Sequence, residues 1–145
     1  MTRLGLASAV LLLACTTGSG ARKGGIGEPR STQVGRYLVQ LDLDPEPPPL
    51  GELFRVHATV TLPDGRAVET ANVNVDARMP QHEHGMETRP RLRTGECAEE
   101  QPCRHANGLY IFDGFKFHMG GNWTFLIEIE GPAGPDSTSL VYRVR

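Results

Sequence analysis

From Val34 onward apolar and polar residues alternate with a period of two, the signature of half-buried strands rather than helices. "RYLVQLDLD" places Tyr37, Val39, Leu41 and Leu43 on one face. "ELFRVHATVTL" places Phe54, Val56, Ala58 and Val60 on one face and Arg55, His57 and Thr59 on the other. "AVETANVNVDA" sets Val73, Val75 and Ala77 against Asn72, Asn74 and Asp76. A short strand is expected around Glu87 to Arg93, followed by "GLYIFDGFKF". "NWTFLIEIEG" carries Trp123, Phe125, Ile127 and Ile129 on one face, and "STSLVYRVR" closes the chain with Leu140, Tyr142 and Val144. Between these runs, "PDGR" (Pro63 to Arg66) signals a turn, and "PEPPP" (Pro45 to Pro49) predicts extended polyproline.

The pattern predicts seven or eight short strands and no helix. The fold class is all-β: an immunoglobulin-like antiparallel β-sandwich over residues 34–145, with Trp123 as a core anchor. A closed barrel would show the same periodicity.

The beginning of the chain reads differently. Met1-Thr2-Arg3 is a short positive segment, and Leu4 to Ala14 is an apolar run. A helix crossing a bilayer needs ~20 residues, so this run fits the apolar stretch of a secretory signal peptide over residues 1–14. It ends in "LLAC", which resembles the lipobox of bacterial lipoproteins, in which the cysteine, here Cys15, is lipidated and becomes the mature N-terminus. The alternative is an ordinary signal with a coincidental cysteine. Residues 15–33, rich in Gly, Ser and Thr, form a flexible linker. The reading is therefore of an extracytoplasmic protein, lipid-anchored to a bacterial membrane. With Thr16 after the cysteine, the lipoprotein class points to the periplasmic side of the outer membrane if the host is Gram-negative.

The three cysteines support export. With Cys15 lipidated, Cys97 and Cys103 remain in "CAEEQPC" and are expected to form a disulfide. A thiolate metal pair is the alternative, although the spacing is not C-x-x-C. Charge adds little: without residues 1–14 there are 14 basic and 17 acidic residues, a net −3. No basic run exists, so no nucleic-acid partner is expected. No nucleophile elbow or free catalytic cysteine is present, and the chain is not expected to be an enzyme.

The chemistry concentrates in "MPQHEHGMETRP". As a strand, it would project His82, His84 and Met86 to one side, and Gln81 and Glu83 to the other. Imidazoles at i and i+2 can both reach one ion, and a thioether adds a soft donor; the combination suits copper, especially Cu(I). Met79 precedes Pro80, which favours an open edge. His118 and Met119 in "FKFHMGGNW" are supporting candidates, Met119 being equally suited to the core beside Phe115 and Phe117. His57 and His105 lack partners in the pattern and are expected on the surface.

"VNVDARMPQHEHGMETRPRL" followed by "GLYIFDGFKFHMGGNWTFLIEI" resembles the YtkA-like domain of bacterial exported proteins and lipoproteins. The matching positions are Met79-Pro80, His82, His84-Gly85-Met86, Pro90, Gly108, Tyr110, Phe117, Met119, Gly121 and Trp123. The resemblance implies an immunoglobulin-like sandwich similar to CopC-type copper-binding domains and to the FixH group linked to cytochrome oxidase assembly. It implies copper handling; an envelope protein or metallochaperone is the partner expected for that role. The "CAEEQPC" insertion is expected to lengthen the hairpin beside the site. The competing reading is a structural or interaction module of an envelope complex that binds no metal.

Overall fold

The computed structural model describes residues 26–93, 95–96 and 103–145. Among them the chain forms nine strands: β1 (Arg30–Ser31), β2 (Leu38–Asp44), β3 (Phe54–Thr61), β4 (Asn72–Met79), β5 (His84–Gly85), β6 (Arg91–Leu92), β7 (Leu109–Phe115), β8 (Gly121–Gly131) and β9 (Gly134–Val144). One antiparallel sheet has the order β1-β2-β3-β7-β6 and the other β5-β4-β8-β9. The result is the expected all-β sandwich.

The alternation buries what the sequence assigns to the inside. Val39, Leu41, Val56, Val60, Val75, Phe125 and Ile127 are all buried, and Trp123, Tyr37, Tyr110, Phe115 and Phe117 have no exposed surface. Burial of these faces on both inner surfaces is the main favourable term in folding. Tyr37 and Tyr110 keep their hydroxyls satisfied: Tyr37 donates to the Gly134 carbonyl (2.7 Å) and Tyr110 to the Val68 carbonyl (2.8 Å).

Three features depart from the sequence pattern. The sandwich starts at Arg30, inside the stretch read as linker, because β1 pairs with β2 through Arg30↔Val39 and Ser31↔Leu38. The Pro45–Pro49 segment is not a straight polyproline run, since the chain bends through residues 45–47. The expected strand at Glu87 to Arg93 shrinks to Arg91–Leu92.

The open edge of β9 is fastened to the other sheet. The Gln33 N–H donates to the Ser137 carbonyl (2.8 Å), the Arg30 guanidinium to Ser139 (2.7 Å), and Arg36 to the Pro135 carbonyl. Asp136 completes the seam, accepting from the Thr32 hydroxyl (2.6 Å) and from the backbone N–H groups of Val34 (3.1 Å), Arg36 (3.1 Å) and Ser137 (2.8 Å). Desolvation acts to raise the pKa of this carboxyl, but the hydrogen bonds outweigh it and bring the pKa down to about 2.

A depressed carboxylate pKa stabilises the fold at pH above the unfolded value of 3.8, and that contribution disappears as pH falls through about 2. Asp136→Ala is expected to lower stability by about 2 kcal/mol at pH 7, in line with hydrogen bonds to a charged acceptor. The deficit should shrink towards acid pH. Urea denaturation at pH 7 and at pH 3 checks both parts; equal deficits at the two values would contradict the assignment.

Candidate metal centre

β4 leaves the sheet at Met79 and returns as β5 through a tight turn. Pro80–His82 forms a 3-10 turn, with Pro supplying its fixed φ at the start, and Glu83 adopts a left-handed conformation (φ 55°) that reverses the chain. His84 then pairs with Met79, and Gly85 with Arg78. This corrects the simple strand expectation. The left-handed residue breaks the alternation between His82 and His84, so the two histidines are brought together by a turn, not by one face of a strand.

Directly opposed residues on an antiparallel pair point to the same side. Met79 is buried, so its partner His84 is directed to the inner rim of the sandwich, where its ring stands 6.2 Å from that of Trp123. Met79 itself is 1% exposed, not at an open edge, and its Cε packs against Gly121. His118, just beyond β7, lies 5.4 Å from Trp123 at an interplanar angle of 86° and 5.0 Å from His84. His82 is exposed in the turn, 5.7 Å from His84. Three imidazoles from two sequence segments thus gather at one end of the sandwich, with His84 in the middle and Trp123 beneath.

The hydrogen bonds bear on what these rings can do. His84 Nδ1 is 3.2 Å from the Gly85 carbonyl; as donor there, it leaves Nε2 with a free lone pair. His118 Nδ1 is buried without a hydrogen-bond partner. A buried ring nitrogen normally finds one, and a metal ion would supply it. The Trp123 indole N–H donates to the Met119 carbonyl (3.1 Å), closing the Gly120-Gly121 turn and fixing the indole below the histidines.

The remaining candidates fall in two groups. Met86 and Met119 are half-buried and pack against the core. Met79 lines a surface groove together with His84, Pro80, Glu83, Thr124 and Leu126, so it is the methionine that shares a cavity with an imidazole. Among the described residues, no three His, Cys, Asp or Glu side chains are close enough to hold a metal together. The donors available are therefore two imidazoles at a time, with Met79 on the strand opposite His84; imidazole and thioether are ligand types that suit copper.

His105 is not a surface residue. It is buried, stacks on Tyr110 with ring centroids 4.3 Å apart, and its pKa is drawn below 6.5 by desolvation. Its backbone N–H reaches the Glu69 carbonyl (2.7 Å), while Glu69 holds Arg104 (2.6 Å). The sequence hint was Gly108, which lets the chain turn tightly enough to tuck His105 inward. This cluster lies at the opposite end of the sandwich from His84: β4 pairs Asn72 with Glu130 near it and Arg78 with Thr124 near the histidines. The Glu96–Arg104 bridge that precedes and follows the cysteine insertion sits at this His105 end, and not beside the histidines; residues 97–102 lie outside the described residues. Cys15 and Cys97 lie outside the described residues, as do the signal segment and most of the linker.

The YtkA-like family pattern matches residues 32–128, which includes every histidine and methionine of the cluster. The chain belongs to the YtkA-like family. No curated protein matches it. Its fold is similar to the crystal structure of a DUF4426 family protein from Pseudomonas aeruginosa PAO1, with a TM-score of 0.54 and 14% identity over 81% of this chain and 96% of that one. At that identity the likeness concerns the fold alone. In this YtkA-like chain the family segment from Met79 to Met86 builds a hairpin, and the segment from Phe117 to Trp123 builds the floor and one wall beside it.

Proposed function

We propose that this YtkA-like protein is a lipid-anchored extracytoplasmic binding protein that holds copper, or passes it on, through the histidine and methionine cluster. The observation that carries the reading is the row of rings His82, His84 and His118 along the rim, with neighbouring centroids 5.7 Å and 5.0 Å apart, and the buried Nδ1 of His118 unpartnered. A copper ion would supply a Lewis-acidic, redox-capable centre; the residues would bind it, orient it and shield it from water. Export and anchoring rest on the Leu4–Cys15 segment, and the Cys97–Cys103 bridge on the close sequence spacing of the two cysteines in a chain read as exported. An envelope protein or metallochaperone would be the partner. The reading assigns no catalytic residue.

Copper titration of the full chain in detergent tests the assignment, with a His82→Ala, His84→Ala double variant alongside. The expected outcome is saturable binding to the native chain and a loss of affinity of more than about tenfold in the variant, the scale seen when a metal site is disturbed. Unchanged binding in the variant would sink the assignment. One observation favours the competing interaction module, namely that no three His, Cys, Asp or Glu side chains among the described residues converge for a metal. A folded chain that binds no copper would support that module.

A further inference from the structure

We infer that the ion this rim selects is a monovalent soft cation, Cu(I), held by His84, His118 and the thioether of Met79. This rests on the metal-binding reading above and goes further by naming the ion's charge class and shifting the ligand set towards His118 and Met79.

Zinc in protein sites takes four nitrogen, sulfur or oxygen ligands, or three with a water, and divalent copper favours several nitrogen and oxygen donors. Among the described residues no group of three His, Cys, Asp or Glu side chains can supply that. A closed-shell monovalent ion is satisfied by two imidazoles and a thioether, since soft sulfur selects Cu(I).

Charge points the same way. The carboxylates around the rim are engaged elsewhere or turned out: Glu87 pairs with Lys116 (3.7 Å), Asp76 with Arg78 (3.6 Å), and Glu83 stands exposed on the turn. With Glu87 and Asp76 already neutralised by their own cations, a dication finds little compensating charge there.

The surroundings are apolar. Trp123 has no exposed surface and carries both His84 and His118 over its ring, 6.2 Å and 5.4 Å away. Phe117 packs behind it at 4.8 Å. The floor beneath the imidazoles is thus apolar. Met79, opposite His84 on the hairpin, is the thioether that the strand register brings to this side.

The test titrates Ag(I), a redox-inert ion of the same charge and softness, and separately Cu(I) under anaerobic reducing conditions, Cu(II) and Zn(II), into the full chain in detergent. The readouts are the fluorescence of Trp123, the chain's one tryptophan, and the histidine ring shifts by NMR. Ag(I) and Cu(I) are expected to quench Trp123, to move the rings of His84 and His118, and to bind more than about tenfold more tightly than Zn(II), as ligand softness dictates. His118→Gln and the volume-matched Met79→Leu should each weaken Ag(I) binding by more than about tenfold, with circular dichroism showing both variants folded. If Zn(II) or Cu(II) binds as tightly as Ag(I), or if affinity depends on His82 and His84 but not on His118, the inference is overturned while the broader metal reading stands. If no ion binds the folded chain, both fall.

Discussion

Trp123→Ala is expected to lose about 3–5 kcal/mol of stability, the range for deleting a fully buried large aromatic side chain. Trp123 is 0% exposed and lies between the two sheets, against Phe117 and below His84 and His118. Two further losses accompany the cavity. The Met119 carbonyl forfeits the indole N–H that closes the Gly120-Gly121 turn, and the two imidazoles lose the surface on which they rest. The measurement is urea denaturation followed by circular dichroism, because the substitution removes the chain's one tryptophan. A deficit below about 1 kcal/mol would show that the core collapses around the gap and that Trp123 is not the anchor described. Trp123→Phe should retain the fold while moving the His118 ring signals, separating the support of the site from the stability of the sandwich.

Gly108→Ala should be the next most damaging single change, costing about 2–4 kcal/mol from overpacking together with backbone strain. Gly108 sits at φ +68°, and a methyl group there would run into the Val60 carbonyl oxygen and meet the Val68 nitrogen at 3.1 Å. Those two atoms are hydrogen-bonded to each other (3.0 Å), so neither can give way without opening the backbone beside β3. Thermal unfolding checks it. Gly65→Ala is the control, with a comparable φ of +88° but nothing within 4 Å of the added carbon; it carries the conformational strain without the collision. Equal losses in the two variants would remove the steric part of the argument.

The sandwich was legible in the sequence because each long strand buries one face, and a period of two writes that face directly into the residue types. Val56, Val60, Val75 and Ile127 follow from alternation alone. Short elements were not legible. β5 and β6 are two residues each, too brief to carry a period. The histidine cluster was half legible: the residue types drew attention to His82, His84 and Met86, with Met79, His118 and Met119 in support, but alternation placed His82 and His84 on one strand face. A positive φ at Glu83 turned the strand into a hairpin and set Met79 opposite His84. No spacing rule joins His84 to His118; only the meeting of the two sheets does. His105 was misread for a related reason, since burial by stacking on Tyr110 is a tertiary event that leaves no local pattern.

The seam between Arg30–Arg36 and β9 bears on where the chain can be cut. A fragment trimmed to the family-matched residues 32–128 would discard β1 and all of β9. β8, cut back to residues 121–128, would then present a bare edge of eight residues that includes Trp123, Phe125 and Ile127. Long, apolar, unpaired edges recruit other strands, so such a fragment should precipitate or form filaments where the longer chain stays dispersed. Ile26 packs on the core and the Gly27 N–H donates to the Leu41 carbonyl (2.7 Å), so the interacting unit extends at least from Ile26 to Val144, and its last strand guards its solubility.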